Sequence, residues 1–174
     1  MSRILFDLNK PPFDWAFLFQ WIMATALGWI LGRFLLPNLA FFTVGMAMGI
    51  LQGFVLQHRL KNAWWWIVTT AAGCSLASLI NQAFLPEGMD FAAGLILGIG
   101  VGMAQWLVLR REVPWSGWWI AINIVAWTTG LKFLPGLFST SAMIGLITGI
   151  AMELLLRSPK KTAAKTKPAN TARI

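Results

Sequence analysis

The sequence predicts an all-α integral membrane protein: six transmembrane helices built from three parallel helical-hairpin repeats, with both termini cytoplasmic. Composition is the first reason. Of the 174 residues, 57% are hydrophobic and 11% charged, with a mean hydropathy of +0.67, outside the range of water-soluble domains. The second is a string that occurs twice, GMAMGILQGFVLQHRLKNAWWWI at residues 45–67 and GIGVGMAQWLVLRREVPWSGWWI at residues 98–120. The third is the placement of the eight prolines, all at or beyond the ends of apolar runs, where a missing N–H costs little.

Taken in order, residues 1–14 read as a short cytoplasmic tail. The apolar stretch Ile4, Leu5 and Phe6 is too short for a signal core, and Asp7 and Asp14 oppose a signal's charge bias. Apolar segments then fall at 15–36, 39–57, 64–85, 89–109, 115–134 and 137–156, making up a bundle over 15–156. Each has roughly the twenty residues that a helix needs to cross a bilayer core. A β-barrel would need alternating polar and apolar positions, which these runs lack. They pair as hairpins 15–57, 64–109 and 115–156. The third segment carries the small residues Thr69, Thr70, Ala71, Ala72, Gly73, Cys74 and Ser75, so it is expected at the centre of the bundle. Residues 157–174 are basic and free of acids, and are expected to be disordered near anionic headgroups.

The repeat runs through all three hairpins. At an offset of 53, Gly45, Gly49, Gln52, Trp66 and Ile67 fall on Gly98, Gly102, Gln105, Trp119 and Ile120. At an offset of 98, Trp21, Ile22, Trp29 and Gly32 fall on Trp119, Ile120, Trp127 and Gly130, and at 100 Gly45 and Gly49 fall on Gly145 and Gly149. Each unit holds two helices, so all three enter from the same side, unlike the inverted repeats of many transporters.

Charge sets the orientation. Of 14 Lys and Arg, only Arg33 and Lys132 fall on the side of Glu87 and Asp90, so the other side is cytoplasmic. Basic residues gathered at the ends of apolar runs are topology signals, and the net charge of +8 therefore does not imply nucleic acid. Trp15, Trp64, Trp65, Trp66, Trp115, Trp118 and Trp119 are expected at the cytoplasmic interface.

The signature G-x-x-x-G-x-x-Q puts its three residues on one helix face. Gly45, Gly49, Gly98, Gly102, Gly145 and Gly149 are therefore helix-packing candidates, letting a neighbouring backbone approach. Gln52 and Gln105 become interhelical hydrogen-bonding groups, or else ligands of a cofactor or solute. The third unit carries Met152 at that position. Glu153, four residues before Arg157, is expected as an exposed interfacial ion pair and is the one proton or ion candidate. His58, the only histidine, is expected in a solvated turn, with haem or chlorophyll-type ligation as the sharper reading. The single cysteine, Cys74, excludes disulfides and Cys/His metal spacing, and no hydrolase, P-loop or dinucleotide motif occurs.

The string GMAQWLVLRREVPWSGWWI and its echo GILQGFVLQHRLKNAWWWI resemble an uncharacterised group of multi-pass bacterial membrane proteins, frequent in cyanobacteria, with tandem G-x-x-x-G-x-x-Q-W-x-x-L-R hairpins. The resemblance implies a repeat-built helical bundle and carries no activity or ligand. The first copy departs from it at Gly53, and the third at Met152 and Glu153. The expected role is non-enzymatic: a structural or accessory subunit of a larger complex in a bacterial inner (plasma) or thylakoid membrane. Its expected partners are lipid and other membrane proteins or further copies of itself. One alternative is a small transporter or channel using Gln52, Gln105 and the Thr/Ser-rich third segment. Another is pigment or hydrophobic-cofactor binding at His58, Gln52 or Gln105, with the cofactor itself unknown.

Overall fold

The computed structural model describes residues 12–134 and 136–157; the expected basic tail from Ser158 onward lies outside them. The described residues form six α-helices and no strand: α1 (Trp15–Leu35), α2 (Ala40–Leu56), α3 (Trp64–Phe84), α4 (Asp90–Leu109), α5 (Trp118–Phe133) and α6 (Leu137–Leu156). A single 3-10 turn, Pro37–Leu39, joins α1 to α2. Four of the helices, α1, α3, α4 and α6, are long and apolar enough to cross a membrane. The other two have 17 and 16 residues. At 1.5 Å per residue they span about 25 Å, slightly less than a typical hydrocarbon core.

Local chemistry accounts for the ends. Asp14 caps α1 by accepting a hydrogen bond from the Phe17 N–H at 2.9 Å. Gly136, with φ of 104°, makes the left-handed turn that starts α6, a conformation which a side chain would strain. The fifth helix begins three residues later than its apolar run suggests. Trp115 has φ of 60°, and the N–H groups of Trp118 and Trp119 bond three residues back, to Trp115 and Ser116, so a tight turn precedes the α-helix.

The helices close into a ring. Each packs on its neighbours in sequence, and α6 packs on α1. Small residues make every one of these contacts. A Cβ on Gly45 would stand 2.6 Å from the Cys74 Cβ, and one on Gly49 would stand 2.9 Å from the Ile67 carbonyl oxygen, so α2 presses its glycine face on α3. Gly98 and Gly102 press α4 on α5 at Ile124 and Ile120, and Gly145 and Gly149 press α6 on α1 at Ile22 and Leu18. The alternate interfaces use Gly28 and Gly32 against Met48 and Val44, Gly73 against Gly100, and Gly130 against Ile144. The pairs descend in register, 28 with 48 and 32 with 44, for example, so neighbouring helices run antiparallel.

This arrangement corrects one expectation. The slim third helix is one member of the ring, packed on α2 and α4, rather than its centre. Its small faces serve two interfaces, one with α2 and one with α4. Leu76, Leu79 and Phe84 point outward and are exposed.

Candidate functional site

What fills the axis of the ring is aromatic. Trp21 of α1, Trp66 of α3 and Trp119 of α5 are 0%, 0% and 1% exposed, with ring centroids 5.8 to 6.4 Å apart in edge and tilted arrangements. Edge-to-face contact suits the indole quadrupole and gains more than area burial alone. Leu56, Leu109, Leu60, Val113 and Met152 complete the cluster from the connecting turns and even-numbered helices. Trp66 and Trp119 therefore turn into the ring instead of outward with the other tryptophans of their rows. Trp64, Trp65, Trp115 and Trp118 are exposed. Tryptophan carries both an apolar face and one N–H, and either place satisfies it; the helix rotation imposed by the glycine contacts turns one of each row inward.

Each of these three indoles has an acceptor for its buried N–H. Trp66 Nε1 donates to Gln52 Oε1 at 3.0 Å, and Trp119 Nε1 donates to Gln105 Oε1 at 2.9 Å. The amide groups then donate from Nε2 to the hydroxyls of Thr25 and Thr70, both at 2.9 Å. Each glutamine thus ties three helices: its own, the preceding one and the following one. The Thr25 hydroxyl in turn donates to the Trp21 carbonyl, and Asn123 Nδ2 donates to the Trp119 carbonyl. On the third side there is no glutamine. Trp21 Nε1 donates instead to Thr148 Oγ1 at 3.0 Å, one turn before Met152. The polar set that Met152 leaves incomplete in sequence is completed by Thr148, and Met152 packs in the apolar cluster.

The glutamines consequently do not meet one another, and their amide oxygen and nitrogen both have protein partners. A buried amide whose oxygen and nitrogen are both engaged is a packing element first, because a ligand would have to displace existing bonds. His58 is exposed in the turn after α2, and among the described residues no three His, Cys, Asp or Glu side chains gather closely enough to hold a metal.

Glu153 is the larger surprise. It is 2% exposed, not at a solvated rim. Its Oε1 accepts from Arg157 Nε at 3.0 Å and from the Asp14 backbone N–H at 3.1 Å, while its Oε2 lies 3.5 Å from Arg59 NH1. Arg59 also pairs with Asp14 and lies over the Phe17 ring at 4.9 Å. The i to i+4 spacing that signals the Arg157 pair is legible in sequence; Asp14 and Arg59, distant in the chain, are not. The Phe17 N–H, followed by the charge of Arg59, holds the Asp14 carboxyl below its ordinary value against some desolvation. The cluster joins the start of α1, the α2–α3 turn and the end of α6, and so fastens the ring where its first and last helices meet.

No protein-family model, curated protein or solved structure matches the chain.

Proposed function

We propose that all six helices cross the membrane as three hairpins in one orientation, both termini cytoplasmic, and that the protein is a non-enzymatic scaffold or accessory subunit of a larger assembly. The observation that carries this reading is the filled axis. Three indoles close the ring where a conduction path would have to run, and Gln52 and Gln105, the polar groups that a transporter would use, are spent on Thr25, Thr70 and the indoles. The outer surface supports it as well. Every helix presents at least one exposed phenylalanine, among them Phe19, Phe54, Phe84, Phe91, Phe133 and Phe138, giving lipid or neighbouring membrane proteins an aromatic face all round. The same proposal places it in a bacterial inner (plasma) or thylakoid membrane. Kinship with the tandem-hairpin bacterial membrane proteins belongs to the same proposal, since the spacing that carries the resemblance is the spacing that pairs Trp119 with Gln105.

Topology reporters and vesicle assays test it together. Fusions at Lys61 and Arg111 read as cytoplasmic, and a fusion at Glu87 reads as the opposite side. Proteoliposomes pass protons and potassium no faster than empty vesicles, and gentle extraction from the native membrane yields a stoichiometric complex with other membrane proteins. Solute flux above the empty-vesicle rate, or a cytoplasmic readout at Glu87, overturns it.

A further inference from the structure

The end of the ring opposite Asp14 and Arg157 holds a cavity of about 240 Å³, lined by residues of α1 to α5. Its origin is a missing ring. Trp29 and Trp127 pack at 5.2 Å between centroids, and the position 45 residues after the first and 53 before the second is Cys74. Where three indoles fill the layer around Trp21, Trp66 and Trp119, here two indoles and a thiol leave space. The contrast extends to hydrogen bonding. All three inner N–H groups have acceptors, whereas Trp29, only 9% exposed, keeps a buried Nε1 with no partner. An orphaned donor of this kind is rare in a native interior and calls for an acceptor that the chain does not supply.

The other polar lining residues limit what that acceptor can be. Arg33 stands one helical turn beyond Trp29, and Ser78 and Gln82 lie one and two turns beyond Cys74; no carboxylate lines the cavity. Arginine and the indole N–H can only donate. The remaining wall is apolar, from the two indoles, Val44, Leu97 and Leu131. We propose that this cavity binds the acidic head and first carbons of a membrane amphiphile, a long-chain carboxylate or phosphate. Its volume falls below the range of about 300–1,000 Å³ typical of pockets for drug-sized ligands, which suits a headgroup and its first carbons. The assignment goes beyond the scaffold role, because a closed bundle needs no ligand.

The test uses the full chain in phosphatidylcholine nanodiscs and lauric acid bearing a diazirine as photo-probe. Cross-linked peptides should map to the α1 and α3 segments around Arg33 and Ser78. Laurate or dodecyl phosphate should compete and methyl laurate should not; the stronger of the two competitors identifies a free fatty acid or a lipid phosphate as the source. Trp29→Phe, which keeps an aromatic ring but removes the N–H, and Arg33→Gln should each weaken labelling roughly fivefold or more while the protein stays monodisperse. Cys74→Phe, which fills the space, should abolish it. Competition by methyl laurate equal to that by laurate, labelling unchanged in both Trp29→Phe and Arg33→Gln, or cross-links spread over the outer surface would overturn the proposal.

Discussion

Gln52 accepts from Trp66 and donates to Thr25, and the two bonds are unequal in consequence. Replacing Gln52 by Leu leaves Thr25 still bonded to the Trp21 carbonyl, but strands the Trp66 N–H in a dry interior. Intramembrane hydrogen bonds average only about 0.6 kcal/mol, while a stranded buried donor costs about 1–3 kcal/mol. We expect Gln52→Leu to lose about 1–2 kcal/mol. Trp66→Phe should add little further N–H penalty in that background, giving a coupling near 1 kcal/mol in a double-mutant cycle of unfolding in detergent. Strict additivity of the two changes would show that the 3.0 Å contact carries no energy.

Between helices, the deciding quantity is how near two backbones come. A Cβ at Gly98 would lie 2.5 Å from the Ile124 Cα and 2.8 Å from the Asn123 carbonyl oxygen, and neither can yield without moving a whole helix. Gly98→Ala should therefore separate α4 from α5 at a cost of about 1–3 kcal/mol, and Gly98→Leu should prevent the pair from forming. Gly117 is the control. It has φ of −59° and open space around its would-be Cβ, so Gly117→Ala should be neutral or stabilise by up to about 1 kcal/mol. Melting temperatures of the three variants in one detergent separate a close-contact effect from a general intolerance of substitution. Equal loss in Gly98→Ala and Gly117→Ala would remove the packing explanation.

For the whole molecule the critical contact is the one that closes the ring, because α6 and α1 are far apart in the chain. Asp14 and Glu153 are 139 residues apart, and Trp21 and Thr148 are 127 apart. The Asp14 carboxyl is held below its ordinary value of about 3.9, so its contribution is present above that pH and is lost as pH falls through the lower folded value. Asp14 is partly exposed, which keeps the effect small. In detergent melts from pH 7 to pH 3, the wild type should lose stability below about pH 4, and Asp14→Asn should start lower and show a shallower acid limb. An Asp14→Asn profile parallel to that of the wild type across this window would mean that the carboxylate plays no part in closure.

The helical class, five of the six helix starts to within a residue, and the matching positions of Trp21, Trp66 and Trp119 are all legible in the amino-acid order. Each of these depends on local properties: apolar run length, proline placement, and identical residues at constant spacing. The late start of α5 escaped because it depends on one residue, Trp115, taking a left-handed conformation that composition does not reveal. What those matched positions do depends on how the helices pack. That Trp66 and Trp119 point to the axis while Trp65 and Trp118 point out follows from helix rotation, which is set by glycines pressed on a partner's backbone. That Thr148 replaces the absent glutamine, and that Arg59 and Asp14 reach Glu153, depends on α6 returning to α1. Periodicity within one helix carries no information about its neighbours, so ring closure and the cavity beside Cys74 arise only once all six helices are placed together.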